Sequence, residues 1–137
     1  QLKDYIEANA GEWVLTHIDA VPDNFLFVEE NGKEEIRLID WEYAGMSDYA
    51  NDFGTFCVCD QLDEEEMHRA LTHYFGRTPT FEELRHNFAY VALAGWCWYA
   101  WSLLKESEGE NVGEWAYIYY RYGKTYLKKA LDLYKQQ

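Results

Sequence analysis

The chain has 137 residues, of which 48% are hydrophobic, so it is long enough to fold as a single domain around a sizeable core. Its formal net charge of −13 argues against a nucleic-acid partner and against an anionic membrane surface, because both carry negative charge themselves. The sequence has no apolar run of 18 residues and no export leader, so we expect no membrane partner and a reducing, cytoplasmic location.

The first elements in chain order are a short helix and a β-hairpin. Residues 2–9 have weak helical character that ends at Gly11. Further on, Asn31 and Gly32 separate two apolar runs, and Asn-Gly in that position is the strongest short hairpin signal. Asn24 opens the outgoing strand and Asp40 closes the returning one. Antiparallel pairing should therefore bring these two side chains together at the open end of the hairpin.

The loop before the hairpin supplies a third oxygen-bearing side chain. His17, Asp19 and Asn24 follow the H-x-D-x₄-N spacing of a kinase catalytic loop, and Asp40 ends the following strand. Transfer of the γ-phosphoryl group of ATP needs a carboxylate near the acceptor hydroxyl and oxygen ligands for Mg²⁺. These residues predict a phosphoryl-transfer site in which Asp19 is the catalytic base, Asn24 and Asp40 hold Mg²⁺, and His17 orders the loop. The alternative is that these side chains only bond local backbone groups at turns and strand ends.

Four helices are predicted after Gly45, at about residues 47–62, 63–75, 80–105 and 114–135. Ser47 or Asp48 could cap the first, and Thr80 opens the third with a capping-box pattern. The expected fold is mostly α (α+β), a helical bundle with one β-hairpin that carries the catalytic and metal-binding loops. The cysteines lack the paired spacing of zinc sites and are expected to be buried thiols: Cys57, Cys59 and Cys97.

Aromatic residues make up 18% of the chain and concentrate in the last two predicted helices. Their faces attract quaternary ammonium ions, so a cluster of them could select a choline-like cation over an ordinary amine. Core packing accounts for the same helical spacing, and both interpretations remain open at this point. Helical spacing distinguishes three groups: Trp98 and Trp101 on one face, Trp115, Tyr119, Tyr122 and Tyr126 in a core-facing stripe, and Tyr117 and Tyr120 on another face.

Several of these segments resemble a known family. The stretches THIDAVPDNFLF (16–27) and RLIDWEYAGMSDYANDFG (37–54) are similar to the choline/ethanolamine kinases, including the bacterial Lic-type choline kinases and the related aminoglycoside phosphotransferases. The segments WYAWS (98–102) and WAYIYY (115–120) are similar to the aromatic helices of the choline kinases. The chain departs from the family at Ile18, where Asn or Gly is usual, and at Cys59, where the family has Glu.

The resemblance implies the C-terminal lobe of a protein-kinase-like fold, spanning residues 1–137 as one domain. It implies the same roles for Asp19, Asn24 and Asp40, and it gives Asp52 the task of supporting the catalytic loop. It also implies a choline pocket lined by these residues: Trp98, Trp101, Tyr117 and Tyr120, with Tyr43 nearby. The expected acceptor is a small cationic alcohol such as choline.

The sequence contains no Gly-rich or Walker loop and no Lys in a V-A-I-K context to hold nucleotide phosphates. We therefore expect the N-terminal nucleotide-binding lobe of the family to precede residue 1, and the isolated chain to be inactive or nearly so. Three alternatives remain: the lobe of an aminoglycoside or other small-molecule kinase, a non-catalytic aromatic cage for cationic ligands, and a purely structural helical module.

Overall fold

The computed structural model describes residues 1–136, which form five helices and two separate pairs of antiparallel strands. This mostly helical architecture confirms the fold class predicted from the sequence. The helices are α1 (Leu2–Ala8), α2 (Ala50–Cys59), α3 (Glu64–Phe75), α4 (Phe81–Ser107) and α5 (Trp115–Tyr134). The strands are β1 (Trp13–Thr16), β2 (Phe25–Glu30), β3 (Lys33–Leu38) and β4 (Gly45–Asp48). No helix in this part of the chain is both long and apolar enough to cross a bilayer.

Strands β2 and β3 form the hairpin that the Asn-Gly signal predicted. The strands pair along their whole length, starting with Phe25 opposite Leu38. Asn31 and Gly32 both have positive φ, 54° and 73°, as a two-residue turn of the I′ type requires. The residues just before β2 and just after β3 consequently lie side by side at the open end of the hairpin.

A second strand pair, β1 with β4, was not predicted from the sequence. Thr16 pairs with Gly45, and the Thr16 side chain also donates to the Gly45 carbonyl oxygen at 2.9 Å. The Thr16 and Ser47 hydroxyls lie 2.7 Å apart. This small sheet ties the segment that precedes residue 17 to the segment that follows residue 44, so both ends of the hairpin region are anchored to the same place.

Helix α4 is the centre of the bundle and packs against both α2 and α5. Two close approaches of the backbone make this possible. A Cβ atom added at Gly95 would lie 2.4 Å from the Gly123 amide nitrogen, and one at Gly54 would lie 2.5 Å from the Tyr90 carbonyl oxygen. The largest cluster of buried residues is built around these contacts: Cys57, Val58, Cys59, Met67, Phe88, Val91, Ala92, Ala94, Ile118, Tyr119, Tyr122 and Tyr126.

Capping boxes begin α3 and α4. The Asp63 side chain accepts from the Glu66 amide at 2.9 Å, and Thr80 accepts from the Glu83 amide at 3.2 Å. Helix α2 begins at Ala50, slightly later than predicted, because the preceding residues belong to β4. The expectation for the cysteines holds for two of three, since Cys97 on α4 is exposed.

Candidate active site

The catalytic loop and the start of β2 are joined by Asn24. Its side-chain nitrogen donates to the Asp19 carbonyl oxygen at 2.9 Å and to the Asp19 carboxylate at 3.3 Å. Because both bonds use the nitrogen, the side-chain oxygen of Asn24 is left for another ligand. A single turn of 3-10 helix, Pro22–Asn24, delivers the residue to this position. Asp19 and Asn24, which the sequence assigned to one site, are in contact.

Asp40 lies at the same end of the hairpin as this pair. The Ile39 amide donates to the Asn24 carbonyl oxygen at 3.0 Å, which extends the hairpin ladder by one step beyond Phe25 and Leu38. Asp40 itself has φ of 63°, and its carboxylate enters no hydrogen bond or ion pair within residues 1–136. The structure therefore brings Asp19, Asn24 and Asp40 to the same end of the hairpin, with oxygen atoms of Asn24 and Asp40 unused by the protein.

His17 links the catalytic loop to the residue before Asp40. Its Nε2 donates to the Ile39 carbonyl oxygen at 2.7 Å, and its ring meets Trp41 edge-on with a centroid distance of 4.8 Å. The side chain is only 1% exposed. This contact fixes the spacing between the loop that carries Asp19 and the strand end that carries Asp40.

Asp52, in the first turn of α2, holds the catalytic loop from behind. Its two carboxylate oxygens accept from the His17 amide at 2.9 Å and from the Ile18 amide at 2.7 Å. Ile18 has φ of 71°, a left-handed conformation that costs an L-residue about 1–2 kcal/mol. Hydrogen bonds to a carboxylate are stronger than neutral ones and offset this cost. The loop conformation that positions Asp19 thus depends on Asp52.

The oxygen donors fit Mg²⁺ better than a transition metal. Residues 1–136 contain no group of three or more His, Cys, Asp or Glu side chains placed to hold a metal ion. Mg²⁺ is commonly held by one or two protein oxygens together with nucleotide phosphates and water, whereas zinc needs three or four His, Cys or carboxylate ligands. Asn24, through its amide oxygen, and Asp40, through its carboxylate, are the residues that could hold such an ion.

An aromatic wall formed by residues of α4 and α5 lies within range of the charge of Asp19. Trp98 and Trp101 meet at a centroid distance of 5.7 Å, and Trp98 meets Tyr119 at 6.3 Å. Burial raises the pKa of Tyr119, and the neighbouring Cys59 and the charge of Asp19 raise it further. Burial likewise raises the pKa of the Cys59 thiol to about 12, with a further contribution from Asp19, so Cys59 is a neutral thiol at physiological pH.

Two residues assigned to the same pocket lie elsewhere. Tyr120 packs against Trp96 and Tyr99, with centroid distances of 5.7 and 5.5 Å, and Tyr117 is 67% exposed. Tyr117 and Tyr119 are two residues apart on a helix, which is about 200° of rotation, so they cannot share a face. The structure does not bring the four pocket residues together.

Tyr119 is the member of the wall that the motif comparison missed. The sequence signal for Tyr119 is its place in the core-facing stripe of α5, a pattern that by itself indicates core packing and not a ligand contact. Tyr43 lies in the single 3-10 turn that directly follows Asp40, and it is 55% exposed.

A mostly apolar cavity in the described residues does not mark this site. It has a volume of about 410 Å³ and lies behind the catalytic loop, between the hairpin base, α2 and α3. Apolar residues such as Phe25, Leu38 and Leu71 line it, and Asp52 borders it, whereas Asp19, Asn24 and Asp40 do not. The candidate site is therefore located by side-chain chemistry and contacts, and not by cavity size.

The profile of the APH phosphotransferase enzyme family matches residues 1–86, which is more than half of the chain. The chain belongs to this family. Protein LicA of Haemophilus influenzae is 30% identical over 106 residues, covering 73% of this chain and 38% of LicA. Thiamine kinase of Salmonella paratyphi B is 28% identical over 100 residues, covering 67% of this chain and 34% of that enzyme.

The solved structures agree with the family. Choline kinase LicA from Streptococcus pneumoniae superposes with a TM-score of 0.74 at 25% identity, covering 93% of this chain and 44% of that chain. A structure of LicA in complex with AMP gives a TM-score of 0.70 at 24% identity, covering 96% and 44%. The chain thus spans less than half the length of these relatives.

Proposed function

We propose that this chain is the C-terminal lobe of a kinase that transfers the γ-phosphoryl group of ATP to the hydroxyl of choline or a similar cationic alcohol. The observation that carries the proposal is the contact between Asn24 and Asp19 at the open end of the hairpin, where Asp40 follows Ile39, whose amide donates to Asn24. A proton acceptor and two hard oxygen ligands in one place are what phosphoryl transfer requires.

In this proposal Asp19 accepts the proton of the acceptor hydroxyl and orients that hydroxyl toward the phosphorus. Asn24 and Asp40 would hold Mg²⁺, which would supply neutralisation of the charge on the phosphate oxygens. Asn24 has a second task, because its nitrogen bonds Asp19 while its oxygen is free for the ion. One side chain thereby fixes the distance between the proton acceptor and the metal position.

The acceptor is assigned to the space between Asp19 and the aromatic wall of Trp98, Trp101 and Tyr119. Aromatic faces attract a cation that has no N–H group to donate. Two relatives, a choline kinase and a thiamine kinase, are named for alcohols that share such a cation and a primary hydroxyl. Choline is the preferred acceptor because the LicA proteins match a larger share of the chain than the thiamine kinases do.

The sequence of residues 1–137 contains no loop that would bind the nucleotide phosphates, so the proposed enzyme needs an N-terminal nucleotide-binding lobe. Because it uses ATP, we place it in the cytoplasm. Its action can be tested in a chimera in which this chain replaces the matching 38% of Haemophilus influenzae LicA. We expect the chimera to phosphorylate choline in the presence of ATP and Mg²⁺, and more slowly thiamine. The same assay with an aminoglycoside as acceptor tests the nearest alternative, that the chain is the lobe of an aminoglycoside kinase.

Asp19→Asn provides the decisive variant of this chimera. Loss of a general base lowers the rate by about 100-fold or more, and we expect at least that reduction in kcat. Asp23→Asn is the matched control, because Asp23 lies in the same loop, is exposed and takes part in no contact of the site. Equal activity of the two variants would contradict the role of Asp19. Preference for an aminoglycoside over choline would contradict the choice of acceptor.

A further inference from the structure

A buried pair of side chains, His86 on α4 and Asp48 at the end of β4, lies outside the candidate active site. The His86 Nε2 atom is 2.9 Å from one carboxylate oxygen of Asp48 and 3.0 Å from the other. The two side chains are 5% and 4% exposed, so water cannot replace either partner. The Nδ1 atom of His86 is buried and has no partner within residues 1–136. The pair therefore joins α4 to the end of β4 through one nitrogen of His86 and both carboxylate oxygens of Asp48.

The Asp48 carboxylate also holds the start of α2. Its Oδ1 atom accepts from the Ala50 amide at 2.9 Å, and its Oδ2 atom accepts from the Gly11 amide at 2.5 Å. The N-cap residue of α2, Tyr49, makes no side-chain capping bond. The first turn of α2 consequently takes its position from Asp48, which satisfies one of the amides that a helix start leaves free.

That first turn contains Asp52, which holds the catalytic loop. Asp52 accepts from the His17 and Ile18 amides, and Ile18 is in the left-handed conformation that a β-branched residue disfavours. A loop held against its own preference needs a support that does not shift. Asp52 cannot move toward or away from the loop without moving the helix start, and the helix start is bonded to Asp48.

We propose that His86 is a positioning residue of the phosphoryl-transfer site. It acts through Asp48, the first turn of α2 and Asp52 on the backbone at Ile18, and so on the position of Asp19. His86 touches neither Asp19 nor the predicted metal ligands, so its effect is on geometry and not on proton transfer. The structural part stands alone, whereas its consequence for catalysis rests on the function proposed above.

Amide hydrogen exchange in the 137-residue chain tests the structural part. His86→Phe keeps a ring of similar size but removes the donor, so the His17 and Ile18 amides should lose about tenfold in protection. The Tyr126 amide, in the core of α5, should change much less. His73→Phe is the matched control, because His73 is exposed on α3, and it should leave all three amides as they are.

His86→Gln separates the hydrogen bond from the shape of the ring. Its side-chain nitrogen can donate to one oxygen of Asp48 but not to both, so protection of the loop amides should fall between that of the native chain and that of His86→Phe. This variant also serves if His86→Phe does not fold. The proposal is overturned if His17 and Ile18 lose protection only in step with Tyr126, if they lose none, or if Gln and Phe have equal effects.

Kinetics in the LicA chimera test the consequence for catalysis. His86→Gln should lower kcat while leaving KM for ATP nearly unchanged, because His86 contacts neither ligand position. A rise in KM with unchanged kcat would contradict the positioning role. A chimera that is inactive with the native His86 would instead count against the proposed function, and hydrogen exchange would still decide whether His86 supports the loop.

Discussion

Gly95 of α4 and Gly123 of α5 face each other where the two helices cross, and a Cβ atom at Gly95 would lie 2.4 Å from the Gly123 amide nitrogen. Gly95→Ala should therefore destabilise the fold by about 1–3 kcal/mol, although Ala is the better helix former. Urea unfolding followed by circular dichroism measures the change. Gly123→Ala is the matched comparison and should cost less, because its Cβ would lie 3.1 Å from the ring and the backbone nitrogen of Trp96, a milder overlap than that at Gly95. Equal costs for the two substitutions would contradict this packing.

The ion pair of Arg77 and Glu83 should make stability fall in acid. The Arg77 guanidinium donates to both Glu83 oxygens, at 2.8 and 2.6 Å, and this contact, together with the Thr80 amide, lowers the pKa of Glu83 from 4.5 to about 2. The unfolded chain takes up this proton near pH 4.5, and the folded chain only near pH 2. The stability that the pair contributes is therefore complete above pH 4.5 and is lost as the pH falls toward 2.

Melting temperatures of the native chain and of Glu83→Gln measure this effect. Gln can still accept from the Thr80 amide, so the comparison isolates the charge. The two proteins should differ most above the ordinary Glu pKa and converge in strong acid. Glu82→Gln, on the exposed side of the same turn, should follow the native curve throughout. A difference between Glu83→Gln and the native chain that does not shrink in acid would show that the charge is not responsible.

Asp52→Asn should loosen the catalytic loop and lower stability. The amide side chain has one acceptor oxygen, so either the His17 or the Ile18 amide loses its partner, at a cost of about 2 kcal/mol. Chemical unfolding measures the loss. Asp63→Asn is the control, because Asn caps a helix start nearly as well as Asp, and the change should stay below about 0.5 kcal/mol. A silent Asp52→Asn variant would mean that the loop keeps its conformation without this carboxylate.

The aromatic wall between α4 and α5 and the exposed face of α5 should differ in ligand binding. In calorimetry with choline, Trp98→Ala and Tyr119→Phe report on the wall, and Tyr117→Ala reports on the exposed face. We expect Trp98→Ala to weaken binding by about tenfold, as the loss of a cation–π contact predicts, and Tyr117→Ala to leave it unchanged. If Tyr117→Ala has the larger effect, the pocket implied by the family motifs is correct and the wall described here is not.

Residues 1–137 alone should not turn over ATP and choline at a measurable rate, because positioning of the nucleotide supplies most of the acceleration in phosphoryl transfer. A coupled assay for ADP release tests this, with the LicA chimera as the positive control. Rapid choline phosphorylation by the isolated chain would refute the need for a second lobe.

Local signals in the sequence predicted the hairpin and the two capped helices well. The Asn31-Gly32 turn needs only residues with positive φ, and the capping box of Thr80 needs only a partner three residues on. The register of the hairpin then followed by counting, and with it the placement of Asn24 and Asp40 at its open end. Features decided by neighbours along the chain were therefore accessible.

Contacts between segments that are far apart in the sequence could not be predicted. The β1–β4 pair joins Thr16 to Gly45 across the whole hairpin, and strands of four residues are too short for a clear alternation of apolar and polar residues. The pairing of His86 with Asp48 likewise joins α4 to β4 and has no local signature. The composition of the aromatic wall was not predicted for another reason. Tyr117 was chosen by its position in the motif, whereas the rotation of the helix turns Tyr119 toward Trp98 and leaves Tyr117 exposed.

Asp19, Asn24 and Asp40 come from one short stretch of chain, whereas the aromatic wall comes mainly from α4 and α5. In the proposed enzyme, separate segments of the sequence would thus determine the phosphoryl-transfer reaction and the choice of alcohol. Substitutions in the two late helices could retune the acceptor over evolutionary time while the reaction itself stayed intact. A single ancestral lobe could in this way give rise to kinases for different alcohols.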